Sequence, residues 1–371
     1  MEYKIIQDPV MGPIRLDGVI RELIDTREFQ RLRRIKSLGL CNVVFPGANH
    51  TRFEHSIGTY FLATKYISHF NMNDEEFLIA ALLHDIGHFP FSHTIEEFYL
   101  EKYNIDHLDA GISIIEGKNS DIPEIIEKYG FSVNKVTKIL KKQEYPVLSS
   151  LISGPVDVDE LDYLRRDSFF CGVSMGYANP DRIIAVSSVD NDDVIVEEKG
   201  IFDIESLLVS RFLMYQAVYF HKTCRIANKM LETAIRKWAD ENESYKFDDA
   251  NLIESLIHDE NSKRMIDRIL NRDLMKVAAK IKYSRENYKI VSEALRSVEN
   301  TIVDIIPPLS FNGRERIKID LKIRISGEIT VIEEVSPLIK SLLEAMDRRY
   351  IYVYSDEKDR EDVAKLLEKI L

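Results

Sequence analysis

Surplus basic charge is missing from this chain: 50 Lys and Arg stand against 62 Asp and Glu over 371 residues, a formal net charge of −12. A broad basic surface for nucleic acid is therefore not expected. Any phosphate-bearing ligand has to be met by a local group of cations, a helix N-terminus or a metal. Cysteine is also scarce. Cys41, Cys171 and Cys224 are odd in number and far apart, which argues against a disulfide framework and for a reducing compartment. The apolar run at 77–83 is too short to span a bilayer. The opening residues, with Glu2, Lys4 and Asp8, hold no apolar signal segment. A cytoplasmic location without a membrane partner is the expectation. No internal repeat or low-complexity tract is present, and 45% hydrophobic with 30% charged residues is a globular composition able to bury a large core.

The pattern along the chain predicts a mainly α protein: a helical bundle with short β-hairpins and a small C-terminal α/β module. The first residues alternate around Gly12 and Pro13 as a hairpin. A helix is expected over about 25–37, with Phe29, Leu32 and Ile35 on one stripe. TRFE at 51–54 has the form of a capping box opening a helix to about 70. A second helix starts near 73–74, is apolar on all sides and so sits at the bundle centre, and ends at His84 and Asp85. Further helices are expected at about 107–117, 121–129, 132–142, 146–152 and 157–168, then a hairpin at about 186–203. One long helix over 205–242 would present Arg211, Tyr215 and Tyr219 on one face, with helical sequence continuing to about 299. In the tail, 315–324 and 350–355 alternate as strands, with helices at 336–349 and 359–371. The expected domains are a catalytic helical domain at 1–240, a helical extension at 241–300 and the α/β module at 301–371.

Histidine carries the chemical signal. Seven of nine lie between positions 50 and 107, and six of these draw attention: His50, His55, His84, His88, His93 and His107. His84 and Asp85 end an otherwise apolar helix, and a buried ionised carboxylate is costly unless paired or bound to metal. With His55 and one carboxylate from DVDELDY (157–163), either Asp157 or Asp159, they form a two-His, two-Asp ligand set. Such mixed ligation suits one divalent Mn, Fe, Co, Ni or Zn, and accepts Mg with water. The alternative is a hydrogen-bonded His-Asp pair that locks helix ends.

The order His, then HDIGHFPFSH (84–93), then DVDELDYLRRDSFFCGV (157–173) resembles the HD-domain metal-dependent phosphohydrolase superfamily. FQRLRRIKSLG and VFPGANHTRFEHSIG place the resemblance in the branch of deoxynucleoside triphosphate triphosphohydrolases, which includes the SAM-and-HD-domain enzyme. It spans about residues 3–240, and a SAM domain ahead of it is not expected. The resemblance implies an HD-type catalytic domain with metal ligands His55, His84, Asp85 and Asp159, leaving Asp157 as a helix N-cap. It implies hydrolysis of a dNTP at the α-phosphorus to deoxynucleoside and triphosphate. His107 would be the general acid held by Glu96, with His93 beside it or in the reverse role, and His88 a further phosphate contact. Arg52 and Arg211 would meet phosphate, aided by Tyr163, Tyr215 and Tyr219, and Asp167 the sugar 3′ hydroxyl.

The chain departs from that pattern where a sugar-reading glutamine becomes Ser37, a lysine after the last ligand becomes Glu160, and a phosphate-contacting histidine becomes Tyr215. Members of the branch are switched by nucleotides at subunit interfaces. The resemblance therefore implies a homo-oligomer, dimer or tetramer, with a guanine nucleotide activator read by Asp25, Gln30 and Arg33 and held by Arg182, Lys199 and Lys222. Glu197 stands where a phosphate-binding arginine is expected. Two other readings compete: an HD phosphohydrolase of nucleoside monophosphates or another phosphoester, and a nucleotide-binding sensor that keeps the HD core as structure.

Overall fold

The computed structural model describes residues 3–117, 119–238, 244–306, 319–346 and 349–371. Helices dominate it. Helix α1 (Arg52–Phe70) begins as its sequence demands, with the Glu54 side chain accepting from the Thr51 backbone N–H at 2.7 Å. Helix α2 (Glu75–Leu83) is capped by Asp74, which accepts from Phe77 N at 3.0 Å, and every residue of its 77–83 run is buried. It packs against α1 on one side and Val133–Leu140 on another, which is where a helix without a polar face has to lie. Its last turn therefore delivers His84 and Asp85 into the protein interior.

Helices α3 (Glu96–Tyr103) and α4 (His107–Ile115) follow the loop after Asp85. Gly87 lies so close to α4 that a Cβ there would run into Gly111 N and His107 O. Helix α5 (Val158–Cys171) crosses α1, and a Cβ on Gly58 would run into the Asp162 carboxylate. These two close approaches fix how α4 and α5 stand against the centre. Among the described residues no helix is long and apolar enough to cross a membrane.

Three expectations need correction. The helix predicted over 25–37 is one α-turn, Arg27–Arg31, followed by a 3₁₀ turn at Leu32–Arg34. The helix predicted over 205–242 is two, α6 (Ile201–Met214) and α7 (Lys222–Lys237), joined by a π-helical turn over Tyr215–Tyr219; residues 239–242 lie outside the described residues. Phe220 N bonds Tyr215 O at 2.8 Å, the wider ring that swings Tyr219 toward α5. The stretch expected to stay helical to 299 contains a strand.

The described strands are β1 (Lys4–Asp8), β2 (Gly12–Leu16), β3 (Ser187–Asp190), β4 (Asp193–Glu197), β5 (Lys276–Lys282), β6 (Thr301–Ile305), β7 (Lys322–Ile325), β8 (Glu328–Val331) and β9 (Tyr350–Ser355). Both expected hairpins, β1–β2 and β3–β4, form. Of the strand expected at 315–324, residues 315–318 lie outside the described residues, as do 347–348 of the helix expected at 336–349. Pairing crosses position 300 twice: β9 sits between β5 and β6, and β7 runs parallel to β4. Ile319, Leu321, Ile323, Ile332 and Ile339 share the main core with α1 and α2.

Candidate active site

The end of α2, the first turns of α1 and the first turns of α5 meet at one point. His55 Nε2 lies 3.0 Å from Asp159 Oδ1 and 3.5 Å from Asp85 Oδ2, and His84 Nε2 lies 3.3 Å from Asp85 Oδ1 and 3.9 Å from Asp159 Oδ1. Among the described residues neither Nε2 has a hydrogen-bond partner, although both are buried. Their other ring nitrogens are committed: His55 Nδ1 donates to Asp162 Oδ2 at 2.7 Å and His84 Nδ1 to Ala81 O at 2.9 Å. Each imidazole is thus held in the tautomer that leaves an Nε2 lone pair facing the carboxylates, as a metal ligand requires. Buried polar atoms are rarely left without partners, so two orphaned nitrogens converging on two carboxylates fit a divalent cation held by His55, His84, Asp85 and Asp159. Electrostatics agree. Burial alone would lower the His55 pKa, but the Asp159, Asp162 and Asp85 carboxylates outweigh it and push it up to about 10, so positive charge is favoured at this spot.

Asp157 plays the expected N-cap role, its Oδ1 accepting from Glu160 N at 2.6 Å. Asp159, two residues on, is the carboxylate that reaches the cluster.

The sequence reading missed Asp162 and what holds it. Arg166, fully buried, donates to Asp162 Oδ2 and Oδ1 at 2.8 and 2.9 Å and to Asp8 Oδ2 at 2.7 Å. Burial raises the Asp162 pKa, but the Arg166 charge wins and brings it down to about 2, so it stays an acceptor for His55. The available signal was spacing: Asp162 and Arg166 lie one turn apart on the face of α5 that carries Asp159. Asp162→Asn is expected to weaken metal affinity about 10- to 100-fold, read by competition with a chelator, and to lower stability because Arg166 loses a charged partner.

A second cluster adjoins the first. Glu96, at the start of α3, accepts from His93 Nδ1 at 2.6 Å on one oxygen and from His107 Nδ1 on the other. The His107 ring stacks on His88 at 4.4 Å between centroids and 5° between planes, and His88 Nε2 lies 3.3 Å from Asp85 Oδ1. Burial raises the Glu96 pKa, but its two histidine bonds hold it well below the usual carboxylate range. Burial lowers the His107 pKa, but the Glu96 bond and charge raise it overall. Burial and the Arg52 charge push His88 well down. The trio therefore sets a His107 whose protonated form is favoured beside a His88 whose protonated form is disfavoured.

The expected phosphate cations are both engaged. Arg52 Nη1 donates to Asp85 Oδ2 at 2.6 Å and its Nε to Ser92 Oγ at 2.9 Å. Arg211 Nη1 donates to Glu160 Oε2 at 2.7 Å. Arg211, Glu160, Asp159, Asp157, Tyr163, Ser153 and Gly154 line a cavity of about 120 Å³, so the first cluster opens onto space through Asp159. Tyr215 packs on Tyr219 at 4.8 Å, and Tyr219 lies 6.3 Å from Tyr163. Asp167, implied as a sugar contact, has both oxygens bonded: Oδ2 to Tyr219 Oη at 2.6 Å and Oδ1 to His50 Nε2 at 2.7 Å. His50, given no role from sequence, stacks on Phe170 at 4.7 Å.

Of the six residues implied in nucleotide activation, four have side chains that bond within the chain. Asp25 pairs with Lys4. Gln30 donates to Ile24 O at 2.6 Å and accepts from Arg33 Nε at 2.9 Å, while the Arg33 guanidinium lies 3.4 Å from the Phe53 ring centroid. Arg182 donates to Asp203 at 3.2 Å and to Lys199 O at 3.2 Å; the Lys199 and Lys222 side chains are exposed. Glu197 is neutralised from the C-terminal part, accepting from Arg324 Nη1 at 2.9 Å.

Comparison with known proteins agrees with this geometry. Residues 52–164 match the HD domain and residues 179–371 the HD associated region. The chain is 40% identical over 282 residues to an uncharacterized protein of Methanocaldococcus jannaschii, covering 74% of this chain and 59% of that one. It is 30% identical over 333 residues to the deoxynucleoside triphosphate triphosphohydrolase SAMHD1 homolog of Dictyostelium discoideum, covering 79% and 63%. It thus spans less than two thirds of these curated relatives' lengths. A crystal structure of a hypothetical protein from Aquifex aeolicus superposes with a TM-score of 0.84 at 30% identity, covering 99% of this chain and 100% of that one. Fold, ligand cluster and both regional matches coincide: the chain belongs to the HD-domain phosphohydrolase superfamily, in its dNTPase-like branch.

Proposed function

We propose that the protein hydrolyses deoxynucleoside triphosphates at the α-phosphorus, releasing deoxynucleoside and triphosphate, with one divalent metal held by His55, His84, Asp85 and Asp159. The observation that carries this is the junction of two clusters: unpartnered Nε2 atoms facing Asp85 and Asp159, and, across His88, the Glu96-held His107. When bound, the metal supplies charge to a phosphoryl oxygen and lowers the pKa of a water. His107 donates its proton to the leaving 5′ oxygen, Glu96 keeps its ring oriented, and His93 completes the Glu96 carboxylate. Arg52 holds Asp85 in place, and Arg211 with Tyr163, Tyr215 and Tyr219 forms the wall along which the phosphates lie.

A second reading, hydrolysis of a nucleoside monophosphate, is favoured by one observation: Glu160 already neutralises Arg211. Metal-loaded protein incubated with each dNTP, NTP and dNMP separates them. Deoxynucleoside plus tripolyphosphate is the expected product pair; orthophosphate alone or pyrophosphate would refute the first reading. Activation by a guanine nucleotide at Asp25, Gln30, Arg33, Arg182, Lys199 and Lys222, within a cytoplasmic homo-oligomer, belongs to the same proposal. It requires that GTP or dGTP raise the rate in those assays.

A further inference from the structure

We infer that Glu160 is a specificity-determining residue: by holding Arg211 it grades phosphoester ligands by the charge of their phosphate chain, penalising longer chains. The inference rests on the hydrolase reading above for its place in the reaction, and on the cavity itself for its physics.

Glu160 follows Asp159 on α5 and is 2% exposed. Its Oε2 accepts from Arg211 Nη1 at 2.7 Å, while Oε1 is buried with no hydrogen-bond partner among the described residues. Leaving a carboxylate oxygen buried and unbonded costs stability, so a local fold optimised only for strength would not keep it. Both Glu160 and Arg211 line the cavity beside Asp159. Arg211 is the one cation among the lining residues, which also include the carboxyl groups of Asp157, Asp159 and Glu160. An anion entering this space meets a guanidinium whose field Glu160 cancels at hydrogen-bonding distance.

The consequence depends on ligand charge. A single phosphate close to the metal ligands gains most of its attraction there and little from Arg211. Each further phosphate extends along the wall where Arg211 stands, and there it meets the Glu160 charge in a poorly solvated space, where like charges repel strongly. Arg211 has several donors and can bridge Glu160 and a phosphate oxygen, so the chain is not excluded. It is held less tightly than a lone Arg211 would hold it. Glu160→Gln keeps the shape and an acceptor for Arg211 and removes only the charge.

The test uses metal-loaded protein of the whole chain, wild type, E160Q and E160A, titrated calorimetrically with inorganic phosphate and with inorganic tripolyphosphate. E160Q is expected to tighten tripolyphosphate by about tenfold or more and phosphate by less than about threefold, the difference shrinking as salt rises. E160A, which lacks the acceptor but also lacks the charge, should move the ratio in the same direction; if it fails to fold, the isosteric E160Q still decides. Equal factors for the two anions, or no change, would overturn the inference. Where nucleotides are turned over, KM for a dNTP should fall relative to that for the matching dNMP. A wild type that turns over no nucleotide defeats the hydrolase reading but leaves the anion titration intact, so the two failures are distinguishable.

Discussion

Asp85→Asn protein is expected to be isolated without its metal and to release no product above background, while its far-ultraviolet circular dichroism remains that of the wild type. Asp85 is the most connected carboxylate of the site: Arg52 Nη1 lies 2.6 Å from Oδ2, and His84 Nε2 and His88 Nε2 each lie 3.3 Å from Oδ1. Burial opposes its charge, but Arg52, His84 and His88 outweigh it and hold its carboxyl well below the ordinary range. The ionised form is therefore the favoured one, as the proposed role of metal ligand requires. The amide keeps an acceptor for Arg52 yet offers neither the charge nor the basicity that a divalent cation requires. Asp85→Ala should lose the metal too, at a larger structural cost. It leaves the buried Arg52 without its carboxylate, and breaking a buried pair costs about 3–5 kcal/mol. Metal content by elemental analysis together with product release checks both variants; wild-type metal stoichiometry in Asp85→Asn would remove Asp85 from the ligand set.

The cluster of His55, His84, Asp85 and Asp159 was legible in the sequence because its setting is local. A histidine and an aspartate closing an apolar helix cannot reach solvent, and α2 is buried as that pattern requires. The choice of Asp159 over Asp157 rested on resemblance, and the helix start explains it physically: Asp157 spends Oδ1 on the backbone of Glu160. What could not be read depends on contacts between distant segments. Asp162 looks like any helix acid until Gly58 lets α1 approach α5 closely enough for His55 to reach it. The Asp8–Arg166 bond joins residues 158 positions apart, and no periodicity encodes it.

The same distinction explains the errors. Tyr215 and Tyr219 have helical spacing, and nothing in that spacing signals the π turn; the bond from Tyr219 to Asp167 on another helix accompanies it. Lys276–Lys282 alternates weakly and is charged, so it read as helix, yet β9 pairs with it along its length. Arg211 was expected to be open to phosphate because its own helix gives no hint of Glu160. The pairing is set by how α5 and α6 lie against one another.

His107→Ala is expected to keep its metal and lose turnover by about 10²- to 10⁴-fold, the range that removing a positioned general acid costs. Separation of the two effects is expected because His107 bonds Glu96 and stacks on His88 and is not one of the four proposed metal ligands. The pH profile gives the sharper test. An acid is competent while protonated, so the rate should fall as pH rises through the His107 pKa. Burial lowers that pKa and the Glu96 bond and charge more than restore it, so in the wild type the fall is displaced to higher pH than an unperturbed histidine gives. Glu96→Gln removes the raising charge and leaves burial, so the alkaline fall should move to lower pH with the metal retained. His93, which shares Glu96 but is largely exposed, separates the roles: His93→Ala should leave the position of that fall nearly unchanged, because His107 keeps its own Glu96 oxygen. An alkaline limb that follows His93 rather than Glu96 and His107 would reverse the assignment of the acid, and a His107→Ala enzyme with wild-type kcat would end it.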